Sequence, residues 1–297
     1  MKIDSQHLSR LNPSTRDVLL QSDDERIEYL NDDKWIPYPA AAQVLAKMDR
    51  LIKLPKKLRM PGMLIVGEAN NGKSSVVSQF CRRYIPTNLD EAIQYPIISV
   101  LTPRGPDLDG FYGEILNQLM APYPSSARTA KKEELVRYYF ERVGVRMLIV
   151  DEVHHILSGP IAKQKQFMNA IKNLSSHMHI PIVLVGIKDA LRAVDTDSQV
   201  KSRFPATYLP QWQVNSIDYA RLLMSIESLL PLRASSNIFE KKISLEIHRR
   251  TNGYIGEILD LINLAAELAI HSGSEKITLK ELAECGYEYS NKKLEVY

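Results

Sequence analysis

The chain has 297 residues, 44% hydrophobic and 25% charged, with a net charge of +3 at neutral pH. That composition is ordinary for a globular protein and excludes a disordered, collagen-like or low-complexity chain. No apolar run approaches the ~18 residues that a membrane span needs. The opening Met1-Lys2-Ile3-Asp4-Ser5 leads into polar sequence, unlike a secretory signal. The 2 cysteines, Cys81 and Cys285, are too few and too far apart for a disulfide scaffold or a thiolate zinc site, which fits a cytoplasmic protein.

Residues 1–38 read as an N-terminal extension, polar and charged, with a short helix expected around Arg26, Ile27 and Leu30. From Pro39 the pattern changes. Val44, Leu45, Met48, Leu51 and Ile52 follow helical spacing and stop at Pro55. Met63-Leu64-Ile65-Val66, bounded by Gly62 and Gly67, reads as a buried strand. Further strands are expected at 96–101, 147–150, 182–185 and 206–209. Helical stripes separate them, including Phe111, Tyr112, Ile115 and Leu116 behind an Asp107 cap. Apolar strands alternating with helices predict an α/β fold, a five-stranded parallel sheet covered on both faces over residues 39–211. After Trp212 only helical patterns remain, so residues 212–297 read as a small all-helical domain with a tail. Its last helix opens with the capping-box spacing Thr278-Leu279-Lys280-Glu281.

The decisive motif is Gly67-Glu68-Ala69-Asn70-Asn71-Gly72-Lys73-Ser74, with Ser75 beside it, set between the first buried strand and an amphipathic helix. It matches G-x-x-x-x-G-K-[ST], in which backbone N–H groups and a helix N-terminus cradle phosphate oxygens. Lys73 is expected to neutralise the β- and γ-phosphates, and Ser74 to ligate Mg²⁺. The second motif is Met147-Leu148-Ile149-Val150-Asp151-Glu152, an apolar strand ending in two carboxylates. Asp151 is expected to hold Mg²⁺ through water and Glu152 to polarise an attacking water as general base. No guanine-reading Asn-Lys-x-Asp occurs, so the expected nucleotide is ATP. Arg203, in Ser202-Arg203-Phe204, stands where an arginine can reach the γ-phosphate of a neighbouring subunit.

These motifs, with the helical C-terminal region as a lid, resemble an AAA+ ATPase. Three stretches narrow the resemblance to TniB/TnsC-type transposition ATPases: Trp35-Ile36-Pro37-Tyr38-Pro39-Ala40, the run from Arg59-Met60-Pro61-Gly62 through Lys73-Ser74, and Asp151-Glu152-Val153-His154-His155. The resemblance spans residues 15–285. It implies an ATP-dependent regulator that assembles on double-stranded DNA as a ring or helical filament and marks target sites. It further implies recruitment of a DDE transposase and a TniQ-type target-selection partner, with disassembly on hydrolysis and no membrane partner. A helicase loader of the DnaC/IstB type, and a scaffold using ATP structurally, are the alternatives. Two departures from the AAA+ pattern point to slow turnover. The fourth strand ends Val185-Gly186-Ile187-Lys188 without the usual polar sensor, unless Lys188 serves, and the lid reads Gly253-Tyr254-Ile255-Gly256-Glu257 where a sensor arginine is usual.

Contact with the DNA backbone is expected at Arg104, on a turn held by Gly105 and Pro106, and at Arg128, Thr129, Lys131 and Lys132 opening the next helix. Trp35 and Tyr38 fit either a wall near adenine or a core staple. His154 and His155 lack the i,i+4 spacing of a helical zinc site and are read as structural.

Overall fold

The computed structural model describes residues 5–89, 92–195 and 197–289. It separates into two compact units, Ala40–Leu209 and Met1–Pro39 with Pro210–Tyr297. In chain order the helices preceding the sheet are α1 (Ser5–Arg10), α2 (Pro13–Val18), α3 (Asp23–Asn31) and α4 (Pro39–Ile52). The α/β unit continues with β1 (Met63–Val66), α5 (Lys73–Cys81), an antiparallel hairpin β2–β3 (Thr87–Leu89, Ala92–Gln94) and β4 (Ile97–Leu101). Then come α6 (Leu108–Gln118), α7 (Thr129–Arg142), β5 (Met147–Asp151), a 3₁₀ turn (Val153–Ser158) and α8 (Ile161–Met178). It closes with β6 (Ile182–Gly186), α9 (Ala190–Val194), α10 (Ser198–Arg203) and β7 (Ala206–Tyr208).

The five main strands are all parallel, in the order β4-β5-β6-β1-β7. Every residue of the inner strands β1, β5 and β6 is buried, which is why each reads as an apolar run, broken in β5 only by Asp151 at its carboxyl end. The edge strands β4 and β7 are partly exposed and carry mixed sequence. Helices cover the sheet through the expected stripes. Phe111, Ile115 and Leu116 of α6 are 0% exposed, and burying each such side chain contributes ~1.5–3 kcal/mol. Asp107 caps α6 by accepting from Asp109 N at 3.0 Å.

The second unit joins α1–α3 to α11 (Ile217–Glu227), α12 (Lys241–Thr251), α13 (Ile255–His271) and α14 (Leu279–Glu284). Capping boxes close the starts of α3, through Ser22 and Glu25, and of α14, through Thr278 and Glu281. The N-terminal stretch carries three helices where one short helix is expected, and it holds real core: Leu11, Leu19 and Leu30 are buried. The strongest tie is Arg26, fully buried. Its guanidinium donates to Pro231 O and to both carboxylate oxygens of Glu275, and Asp23 adds a bond at 2.9 Å. Single apolar residues spread over three short helices leave no long periodic stripe, and a buried arginine looks like surface in a sequence.

Trp35, Tyr38 and Trp212 gather in this unit, with Tyr38 edge-on to Trp212 at 5.2 Å. Burial pushes the Tyr38 hydroxyl up to about 12. Both cysteines are free thiols. Among the described residues no helix is long and apolar enough to cross a membrane.

Candidate functional site

The loop after β1 is shaped by two left-handed residues, Asn70 (φ 59°) and Gly72 (φ 76°). At Gly72 only a residue without Cβ adopts that conformation at little cost, and α5 begins immediately after it. The N-cap of α5 is Gly72, which has no side chain to cap the first turn. Asn71, buried, donates from Nδ2 to Leu209 O at 2.7 Å and ties the loop to the chain leaving β7. Lys73 is 5% exposed and donates from Nζ to Glu68 O at 2.8 Å, folding over the loop it belongs to. Burial lowers its ammonium pKa against the opposing pull of Glu152, Asp151 and Glu68. Ser74 and Ser75 are exposed, as are Ala69 and Asn70, while Gly67 is buried.

β6 lies between β1 and β5, so the carboxyl ends of those strands stand about 10 Å apart, within reach of a lysine side chain. Asp151 ends β5 with its carboxylate accepting from Glu152 N at 2.7 Å. Burial raises the Asp151 carboxyl above its ordinary value, only partly offset by that hydrogen bond and by Lys73. Glu152 itself takes a left-handed conformation (φ 54°), uncommon for a residue with a side chain and typical of strained functional positions. It opens the 3₁₀ turn, which carries His154 and His155. The tighter turn brings together what helical spacing would separate: ligand atoms of Glu152, His154 and His155 all lie within 4.8 Å of one another. A 3₁₀ turn is not marked in the sequence, so this grouping escapes a reading by helical period.

Lys188, considered as a sensor, ion-pairs with Glu68 at 2.7 Å and thus belongs to the mouth of the loop. Glu257, the last residue of the lid stretch 253–257 that lacks the usual arginine, is buried and accepts from Tyr287 Oη at 2.5 Å.

Arg203 sits at the other end of the sheet. Its carbonyl accepts from Gly62 N, ahead of β1, whereas Lys73 follows the far end of that strand. The side chain is 9% exposed and donates to Lys172 O at 2.8 Å and Ser176 Oγ at 2.9 Å. Burial, and then the nearby Arg59, lower its pKa from the ordinary arginine value. It therefore stands away from its own chain's loop, and its guanidinium is held inward.

The cationic residues divide. Arg104 and Arg128 are exposed. The turn of Arg104 lines an open groove of about 560 Å³ with Thr129, Lys163, Gln166 and Asp107, at the carboxyl ends of β4 and β5. Lys163 joins this set although a lone lysine in a helix start gives no sequence signal. Lys131 pairs with Glu134 at the surface. Lys132 is turned inward: its side chain is 8% exposed and its Nζ holds Asp109 at 2.7 Å, lowering the Asp109 carboxyl. Thr129 Oγ1 also donates to Asp109, so Thr129 and Lys132 anchor the groove wall through one carboxylate.

A parallel sheet in this order, with a glycine-lysine loop after one inner strand and a carboxylate pair after another, defines the α/β P-loop fold of the AAA+ class. Solved structures share it. The Aeropyrum pernix ORC2 protein in ADPNP–ADP complexes is 15% identical over 87% of this chain and 70% of its own, with TM-score 0.61. Cdc6p from Pyrobaculum aerophilum is 16% identical over 86% and 69%, with TM-score 0.59. The Aeropyrum pernix ORC1 protein in complex with DNA is 13% identical over 87% and 68%, with TM-score 0.56. No curated protein matches the sequence. Residues 26–214 match the model of the family described as bacterial TniB protein. The chain belongs to that family, which places it among transposition-associated AAA+ proteins.

Proposed function

We propose that this chain is an ATP-hydrolysing regulator of DNA transposition that assembles on double-stranded DNA, helps select the target site and recruits the transposase. The observation that carries the reading is the loop 67–74 facing Asp151 and Glu152 at one end of the sheet, in a chain of the TniB family. The helix start of α5 behind a glycine N-cap, the left-handed Gly72 and the buried Lys73 side chain suit a triphosphate. Ser74 Oγ and, through water, Asp151 would hold Mg²⁺, which when bound neutralises charge on the β- and γ-phosphates. Glu152 orients the attacking water and accepts its proton.

Arg203 lies at the end of the sheet opposite Lys73, so its part in hydrolysis requires a second copy, whose γ-phosphate it contacts once released from Lys172 and Ser176. The active form is accordingly a ring or filament with ATP between copies. Arg104 and Arg128, with Lys163 across the groove, supply backbone contacts without sequence readout. The transposase and a TniQ-type protein are the partners of the ATP-loaded assembly, and slow hydrolysis dismantles it.

Co-sedimentation with double-stranded DNA in ATP, a non-hydrolysable analogue and ADP, with electron microscopy of the pellet, tests this. Rings or filaments are expected with ATP or the analogue and not with ADP, and binding is expected to fall steeply with salt. Failure to associate with DNA in any nucleotide overturns the DNA half of the proposal. Replacing Arg104 by Ala is expected to weaken DNA binding and flatten its salt dependence by about one phosphate contact.

A further inference from the structure

β6 ends in Gly186, which offers no side chain at the edge of the sheet where Lys73 and Glu152 stand. The packing forbids one. A Cβ built at position 186 would lie 2.8 Å from Ala190 Cβ at the start of α9, closer than such atoms approach. The same Cβ would meet His154 Nδ1 at 3.3 Å. The imidazole thus fills the space above the end of β6 that a polar side chain at 186 would otherwise enter.

His154 Nδ1 is also 3.2 Å from Glu152 Oε2, within ion-pair distance but without the alignment of a hydrogen bond. It is a buried polar nitrogen with no hydrogen-bond partner, a rare condition for a group of this kind. The position is firmly set. Val153 and Ile156 on the same 3₁₀ turn are 0% exposed, and the left-handed backbone of Glu152 starts that turn. His155 points elsewhere, with its Nδ1 at 3.3 Å from Thr102 O. Glu152 therefore has two neighbours of opposite consequence: the Lys73 ammonium, on which it exerts the largest opposing charge, and the His154 imidazole 3.2 Å from its Oε2. A carboxylate captured by the lysine is a poor proton acceptor.

We infer that His154 is a positioning residue for Glu152, donating from Nδ1 to the carboxylate and holding it off Lys73 in the place where the water is activated. This rests on the proposed role of Glu152 as the base. It also supplies from the chain's own 3₁₀ turn the polar group that Gly186 cannot provide.

The chain with ATP, with and without double-stranded DNA, tests it in five variants, with kcat, KM and affinity for a fluorescent ATP analogue measured for each. H154A is expected to lose about tenfold in kcat, the worth of one hydrogen bond to a charged group, with KM and nucleotide affinity within about twofold. H154N, whose amide nitrogen falls near the position of Nδ1, restores much of the rate. H154F, which fills the space over Gly186 without a donor, does not. Adding H154A to E152Q costs nothing further, because the two residues act as one unit. Hydrolysis by the unaltered chain that H154A leaves unchanged, or that H154F supports as well as H154N, overturns the inference alone. Loss of nucleotide affinity in all three His154 variants overturns it as well, assigning the imidazole to the fold of the turn. If the unaltered chain does not hydrolyse ATP under any condition, the reading of Glu152 as base falls, and the inference with it.

Discussion

At the scale of single residues, the site is a set of charges placed by backbone rather than by one another. Lys73 follows a left-handed glycine, and Glu152 is itself left-handed. Lys73 carries the one positive charge of the loop 67–74 and is proposed to neutralise the phosphates, so in K73A ATP binding, in a fluorescent-nucleotide titration, and ATP-dependent assembly are expected to vanish. Undiminished assembly would argue against a nucleotide switch. Replacing Glu152 by Gln keeps shape and removes the proposed base. ATP binding is then retained, hydrolysis falls by roughly 10²-fold or more, and DNA complexes persist through a competitor challenge. Rapid dissociation of that variant would remove hydrolysis as the release step.

At the scale of elements, the N-terminal helices are fastened to the C-terminal ones by one buried charge cluster. Glu275 accepts from Arg26 and from Arg233 N and Nη1. Burial alone raises its carboxyl, but the hydrogen bonds and charges of the two arginines outweigh this and hold it below the ordinary value. A carboxyl lowered in the folded state adds stability above its unfolded pKa and loses it as pH falls through the folded one. Acid unfolding is thus expected to lose part of its steepness below about pH 4 in E275Q. Removing Arg26 leaves a buried carboxylate without its main partner, and R26A should cost about 3–5 kcal/mol by denaturant unfolding of this unit. An unchanged midpoint would mean that α3 contributes nothing to the packing seen here.

At the scale of the whole molecule, Arg203 and Lys73 stand at opposite ends of β1, and the proposal that Arg203 acts on a neighbouring copy makes hydrolysis a property of an assembly. R203A and K73A are each expected to be inactive alone, R203A while still binding ATP. Mixed, they should recover a measurable fraction of ATP hydrolysis, since each supplies the half-site the other lacks. A misfolded chain cannot produce that rescue, so its appearance excludes misfolding of either variant, and its absence, with R203A still binding ATP and both variants giving the unfolding midpoint of the unaltered chain, counts against action between copies.

The inner strands, the phosphate loop and the carboxylate pair were legible in the sequence because each is a local pattern. A strand buried on both faces must be apolar throughout, and a phosphate loop must place Gly and Lys at fixed spacing beside a helix start. The fate of isolated polar residues was not legible. Arg26 and Lys132 read as surface cations, yet each is buried on a carboxylate far along the chain or one helix away. His154 and His155 carry no helical spacing, and only the 3₁₀ turn brings them to Glu152. The sequence by itself determined the parallel sheet and the glycine-lysine loop between a buried strand and a helix, since covalent neighbours and periodicity carry that information. Only the tertiary structure decided which charges are buried and paired, because the desolvation that forces a polar group to find a partner depends on neighbours the chain order does not reveal.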